Sequence, residues 1–455
     1  MELRERVSEW IDAHKDELIN TLCESLRIPS VKGEAEEGAP FGREVTRAIE
    51  HALEAGRRYG LKTRNMEGYI GLIDHGDGEE TLGVMCHMDV VPEGEGWTFP
   101  PYGGVVHGGE IHGRGALDDK GPAICALYAL AAIKECGLPM KRRVRIMLGG
   151  DEESGWGCMK YYGEHERFPE LAFSPDAEYP LVNSEKGIAQ CTLGRKYASR
   201  LRIEAGSRPN VVCESATVKL ELPVEEVRSS AERVEEAGFA VEVCEVDGLT
   251  VATVKGIAAH ASMPEQGRNA IQGLLMLLAA LPLADEDMRC ISALHEAFRL
   301  DMHGESAGID CADQSGRLTV NPGVLNWDES GFALVVDMRV PTTFALRDAV
   351  DGLNAAIGVT ALMQEHFQEG HFVPRDSELV TKLLEVYERR TGERAEPLAI
   401  GGGTYARAVE NAVAFGCERP GVPALIHMPN ESIRIEDVMF NAHMLADAMI
   451  ALACE

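Results

Sequence analysis

The sequence predicts an α/β fold whose catalytic domain is interrupted by an inserted α+β unit. Helix-like segments alternate with short apolar runs up to about Gly187, which is the pattern of a sheet covered by helices. From about Ile188 to Pro374 strands of alternating polarity take over, and after Pro374 the first pattern returns. The expected domains are therefore 1–187 together with 375–455, and an inserted domain at 188–374.

The elements follow in chain order. MELRERVSEWIDAHKDELIN reads as a charged amphipathic helix without the apolar core of a signal peptide. A second helix is expected over 41–59. TLGVMCHMD reads as a strand, so His87 and Asp89, two apart, share one face while Cys86 points to the other and packs in the core. GRGALDDKGP is a glycine-rich loop between His112 and a helix over 123–136, and Asp118 projects from it. The run 144–148 reads as a strand that delivers Asp151, Glu152 and Glu153 at its end, where open α/β sheets place their ligand sites. Asp176 follows another apolar run in LAFSPDAEYP. In the insert, SRLRIE and LTVATV alternate as strands and 266–281 reads as a helix. A helix over 377–391 leads to Gly401, Gly402 and Gly403, and the apolar run 422–426 ends at His427.

Composition excludes several classes of partner. Lys and Arg total 44 against 74 Asp and Glu, a formal charge of −30, and no basic stripe alternates with aromatics, so nucleic acid is not expected. The apolar stretch 273–284 contains Pro282 and is too short to span a bilayer, so a soluble chain with no membrane partner is expected. Twelve cysteines without a CxxC pair suit a reduced, cytoplasmic protein. The diffuse acidic excess reads as a solvated surface.

Imidazole and carboxylate are suitable zinc ligands, and one carboxylate can bridge two ions about 3.5–4 Å apart. His87, Asp118, Glu153, Asp176 and His427 make such a set from loops at strand ends. Two adjacent acids, Glu152 and Glu153, suggest two jobs. His443 competes with His427 but lies in the pattern of a packed helix; His107 and His112 flank glycine turns and read as structural.

HMDVVP, GRGALDDKGP, GGDEESGWG, SPDAEYP, AAHASMPEQGRNA, VDMRVP and GGGTYAR run in order through nearly the whole chain. This set resembles the co-catalytic zinc metallopeptidase family of aminoacylases, carnosinases, succinyl-diaminopimelate desuccinylase and carboxypeptidase G. DDKGP, GGGTYAR and the long insert are most similar to the peptidase V-type dipeptidases. The resemblance implies a mixed sheet flanked by helices, with an inserted α+β lid. It implies two divalent ions, zinc first with manganese or cobalt as alternatives: His87 and Asp176 on one, Glu153 and His427 on the other, Asp118 bridging. The peptide before Asp119 is expected to be strained, where a cis bond outside proline would be a functional feature.

The resemblance further implies that Asp89 accepts the second ring N–H of His87 and that Glu152 is the general base. His260 of the lid would stabilise the oxyanion, and Asn210 and Arg339 would bind the substrate's polar end. Gly402, Gly403 and Thr404 would add backbone N–H donors near a terminal carboxylate. The function expected is a metal-dependent dipeptidase acting on small peptides with a free N-terminus. The alternatives are an N-acyl amino acid deacylase or desuccinylase, and a catalytically inactive ligand-binding relative, against which the presence of Glu152 beside every inferred ligand argues. Because 188–374 is long for one small α+β unit, the lid is expected to serve its own chain, and the protein to be a monomer that excludes longer peptides.

Overall fold

The computed structural model describes residues 3–454. The chain divides into two compact units, one of residues 3–183, 373–398 and 403–454, the other of residues 184–372 and 399–402.

In the first unit six strands lie side by side in the order Lys62–Met66, Ile70–His75, Arg143–Gly149, Thr81–His87, Leu171–Ser174 and Ala412–Ala414. The outer pairings at Lys62–Met66 and Ile70–His75 are antiparallel, whereas the last four strands are mutually parallel. The sheet is mixed. Its parallel strands are apolar along nearly their whole length, as both faces are covered by helices. Because these strands are parallel, their C-terminal ends share one edge, and that edge delivers His87, the Asp151–Glu153 turn and Asp176.

Helix Lys120–Glu135 is buried almost all round, as a helix in the centre of a layer must be; it packs on Lys15–Leu26, Ile435–Met449 and Thr81–His87. It begins three residues earlier than the pattern suggested, because Pro122 fits the first turn, where no helical N–H is required. The N-terminal segment forms two helices, Leu3–Ala13 and Lys15–Leu26, instead of one. Residues 435–454, and not the shorter stretch 273–284, are long and apolar enough to cross a membrane by length and composition; 78% of that window is buried inside the protein.

The second unit holds an eight-stranded sheet in which every pairing is antiparallel. Its order is Ala240–Val246, Leu249–Lys255, Ser215–Leu220, Arg202–Ala205, Thr319–Asp328, Gly331–Val340, Gly187–Lys196, Ala361–Gln368. Burial alternates along its strands: Ile203 and Ala205, or Ala216, Val218 and Leu220, are buried while their neighbours are not. One face therefore carries the core. The helix expected over 266–281 is Ala270–Leu278, because the Asn269 side chain caps it by accepting from the Ile271 N–H.

The segment Ala399–Gly402 belongs to the second unit, although the sequence pattern groups it with the first. Lys186 N–H donates to the Ile400 carbonyl at 3.0 Å, and Arg339 Nη1 to the Gly401 carbonyl at 2.6 Å. A side chain at Gly401 would collide with Ser262.

Candidate metal centre

His87 ends its strand fully buried, with Nε2 2.9 Å from Asp118 Oδ1 and 3.8 Å from Asp176 Oδ2. His427 places its own Nε2 2.9 Å from the other Asp118 oxygen and 3.1 Å from Glu153 Oε1. Asp118 thus faces one histidine with each oxygen. Donor atoms of His87, Asp118 and Glu153 all lie within 4.8 Å of one another.

The neighbours of these groups fix their direction. His87 Nδ1 meets the backbone carbonyl of Asp89 at 2.9 Å, closer than the Asp89 carboxylate at 3.6 Å. That carboxylate instead accepts the N–H groups of Glu152 and Glu153, each at 3.1 Å. Asp89 therefore serves both turns: its carbonyl orients the imidazole and its side chain holds the two acids. The Asp118–Asp119 peptide is cis. Asp119 turns away from the cluster and accepts the His87 backbone N–H at 2.9 Å, while its other oxygen is buried without a partner.

Three groups that sequence reasoning passed over build the loop around Asp118. Glu431 is wholly buried and accepts from the N–H groups of Gly115, Leu117 and Asp118 at 2.9–3.2 Å and from Arg114 at 2.7 Å. Lys120, equally buried, donates to the carbonyls of Ser25 and Ile28 at 3.1 and 2.7 Å, and burial pulls its pKa down to about 7. From that point one strand-like segment laces the site: Ser30 donates its hydroxyl to the Met88 carbonyl and accepts the Val90 N–H, and Lys32 reaches Asp151 at 2.6 Å. A charged residue amid the glycines of GRGALDDKGP was the available signal for Arg114 and Lys120; nothing local marks Glu431 as their partner.

The close approach of these groups shifts their proton affinities. Burial, then repulsion from neighbouring carboxylates, raises the pKa of Asp176 and Glu153; burial does the same to Glu152, which Glu153, Asp89 and Asp118 reinforce against the pull of His87. Burial opposes charge on His87 and His427, but Asp118 with Asp89 or Glu153 outweighs it and both pKa values rise. Four acids and two imidazoles converge here, and this all-nitrogen-and-oxygen donor set fits divalent zinc, manganese or cobalt. The residues present fit a divalent-metal centre.

His427 does not follow a strand. Residues 422–426 are irregular, since Pro423 has no N–H for a ladder, and His427 itself sits at φ +60°. Its side chain is 52% exposed. His443 lies on the Ile435–Met449 helix, 3.0 Å from Asp12, and His112 stacks on Phe99. Beneath the site the Tyr405 ring meets His87 edge-on at 6.3 Å, its hydroxyl is 2.8 Å from Cys158 Sγ, and a side chain at Gly149 would strike that hydroxyl.

The remaining residues singled out by the sequence lie in or beside the second unit. His260 Nδ1 lies 2.7 Å from Ser262 Oγ and 3.2 Å from the Ser262 backbone nitrogen. Asn210 is adjacent, its carbonyl accepting the Ala261 N–H. Arg339 is buried, and its fork closes on Asp337 at 2.7 and 3.2 Å; Gln190 donates to the same carboxylate. Gly402 has open space where a side chain would stand. Gly403 and Thr404 fall in the first unit, where Thr404 Oγ1 caps the short turn Tyr405–Ala408.

The sequence profile described as Peptidase family M20/M25/M40 matches residues 83–451. A Bacillus subtilis (strain 168) protein named "Putative dipeptidase YtjP" is 37% identical, over 96% of this chain and 98% of that one. The Beta-Ala-Xaa dipeptidase of Lactobacillus delbrueckii subsp. lactis is 32% identical, over 98% of this chain and 97% of that one. Among solved structures, the di-peptidase Dug1p from Saccharomyces cerevisiae is similar in fold, with a TM-score of 0.60 and 14% identity, covering 98% of each chain.

Proposed function

This chain belongs to Peptidase family M20/M25/M40, and we propose that within it the protein is a dinuclear-metal dipeptidase that hydrolyses the amide bond of dipeptides with a free N-terminus. The observation that carries the reading is Asp118, whose two oxygens face two different histidines at equal distance. His87 and Asp176 would hold one ion, His427 and Glu153 the other, with Asp118 between them. Bound zinc, or manganese or cobalt in its place, supplies an activated water and polarises the scissile carbonyl.

The rest is done by the chain. Glu152, held by Asp89 through its backbone and with its proton affinity raised by burial, takes the proton from water and returns it to the leaving amine. His260 is assigned to the developing oxyanion. Asp337 accepts from Nε and Nη2 along one edge of Arg339, which pre-orients the guanidinium; its remaining N–H groups, with Asn210 and the backbone of Gly402, Gly403 and Thr404, are assigned to the substrate carboxylate. The unit 188–374 is read as the lid of a monomer. A cytoplasmic location agrees with twelve free cysteines, nine of them buried.

The test is a panel of one dipeptide, its N-acetylated form and an N-acetyl amino acid, assayed with metal-stripped and reloaded protein. Cleavage of the free-amine dipeptide alone, lost on stripping and regained with zinc, manganese or cobalt, is expected. Preference for the acylated compounds would make the protein a deacylase, and full activity after verified stripping would remove the metal mechanism.

A further inference from the structure

Outside the ligand cluster, one carboxylate of the first unit stands in a cavity without a partner. Cys417–Glu418 pairs in parallel with Ala177–Glu178, the two residues that follow Asp176, and the Glu418 carbonyl accepts the Tyr179 N–H at 2.9 Å. The backbone of Glu418 is thereby fixed beside a ligand turn. Its side chain lines a cavity of about 400 Å³ whose apolar wall includes Leu117, Val422, Pro423 and Leu425.

The other charged groups there are already engaged. Arg434 forks onto Asp437 at 2.5 and 2.8 Å, Arg419 reaches the same acid at 3.4 Å, and Glu110 accepts from the Ser432 hydroxyl at 2.9 Å. No described residue gives the Glu418 carboxylate a hydrogen bond or an ion pair. Burial, then Asp118 and Glu178, raise its pKa to about 7, and no cation acts in the opposite sense.

Apolar walls with one unpaired acid, the other charged groups being engaged with one another, complement a lysine or arginine side chain, whose methylenes cover the wall while the cation meets the carboxylate. A neutral side chain of equal length would leave the acid unpaired. Leu117 immediately precedes Asp118 and Leu425 stands two residues before His427, so the cavity begins beside both ligand-bearing segments. In a dipeptide the scissile carbonyl belongs to the N-terminal residue, whose side chain branches from the adjacent carbon. We propose that Glu418 and this cavity select dipeptides whose N-terminal residue carries a basic side chain, an inference that rests on the dipeptidase reading.

The decisive comparison is kcat/KM for Lys-Ala against norleucine-Ala, two substrates of nearly equal shape. The metal-loaded wild type is expected to favour Lys-Ala by about tenfold or more, and Glu418→Gln to bring the ratio to about one. Calorimetric binding of the same pair to the Glu152→Gln protein should show the same preference, and Glu418→Lys should shift preference toward Glu-Ala. Equal use of both substrates by the wild type, or a preference that survives Glu418→Gln, overturns the proposal. So does an equal loss on both substrates, which would assign the acid to the α-ammonium. If the loaded wild type cleaves no dipeptide, the dipeptidase reading falls and this one with it; cleavage without preference removes this one alone.

Discussion

His87 and His427 approach the same carboxylate at the same 2.9 Å, yet the two halves of the centre are built differently. His87 ends a central parallel strand, is buried, and has its second nitrogen fixed by the Asp89 carbonyl. His427 lies in an irregular stretch with its side chain half exposed; the nearest tether is Asn430, which accepts the Thr98 N–H and donates to the Gly96 carbonyl. A donor at a strand end is placed by the sheet, whereas a donor on a loop depends on what the loop holds. The centre therefore has one fixed side and one adjustable side.

The largest expected effect tests the frame of that contrast. Glu431→Ala removes the carboxylate that neutralises buried Arg114 and leaves three backbone N–H groups without their acceptor, and should cost about 3–5 kcal/mol, against about 1 kcal/mol for Asn430→Ala on the exposed tether. Equal shifts in denaturant midpoint would end the distinction. Next, Glu152→Gln should lower turnover by about a hundredfold with both ions still bound, since only the proton acceptor changes; metal loss measured by elemental analysis would mean that the turn itself had moved.

A smaller effect separates the two histidines. His427→Ala should release one metal equivalent on dialysis and keep the other, while His87→Ala, which empties the buried side and removes the contact to both Asp118 and Asp176, should release more. The smallest effect is in pH. His87 and His427 have raised pKa values, so the stability they give the metal-free protein is complete below about pH 6.5 and is lost as pH rises through the folded values. Glu153, Asp176 and Glu152 are raised as well and act in the same sense from about pH 4.5 upward. The gap in melting temperature between loaded and stripped protein should widen from pH 5 to pH 8; a constant gap would contradict those shifts.

The donors at strand ends are also the legible ones. His87, Asp176 and the Asp151–Glu153 turn follow apolar runs that are strands, and a parallel sheet brings such ends to one edge, so their meeting follows from local pattern. His427 was found through its motif, and the strand expected before it does not form because Pro423 interrupts the run. The dual role of Asp89 was only half visible: sharing a strand face with His87 signals proximity, but not that the carbonyl is the nearer group. Glu431 was invisible, because its partners lie some 313–317 residues away and pairing at that separation leaves no periodicity. In the insert, alternation revealed the strands, while the move of Ala399–Gly402 into the second unit depends on two long-range hydrogen bonds.

The lacing by residues 25–32 bears on where this protein can be cut. The family profile begins at Gly83, but Lys120 finds its acceptors at Ser25 and Ile28, Met88 and Val90 are held by Ser30, and Asp151 is paired by Lys32. A fragment trimmed to the matched region would keep every proposed ligand and lose the strap beneath three of the turns that carry them. Its buried ammonium would then have no carbonyl to meet, so the smallest autonomous form of the first unit must include these upstream residues even though none of them touches the centre.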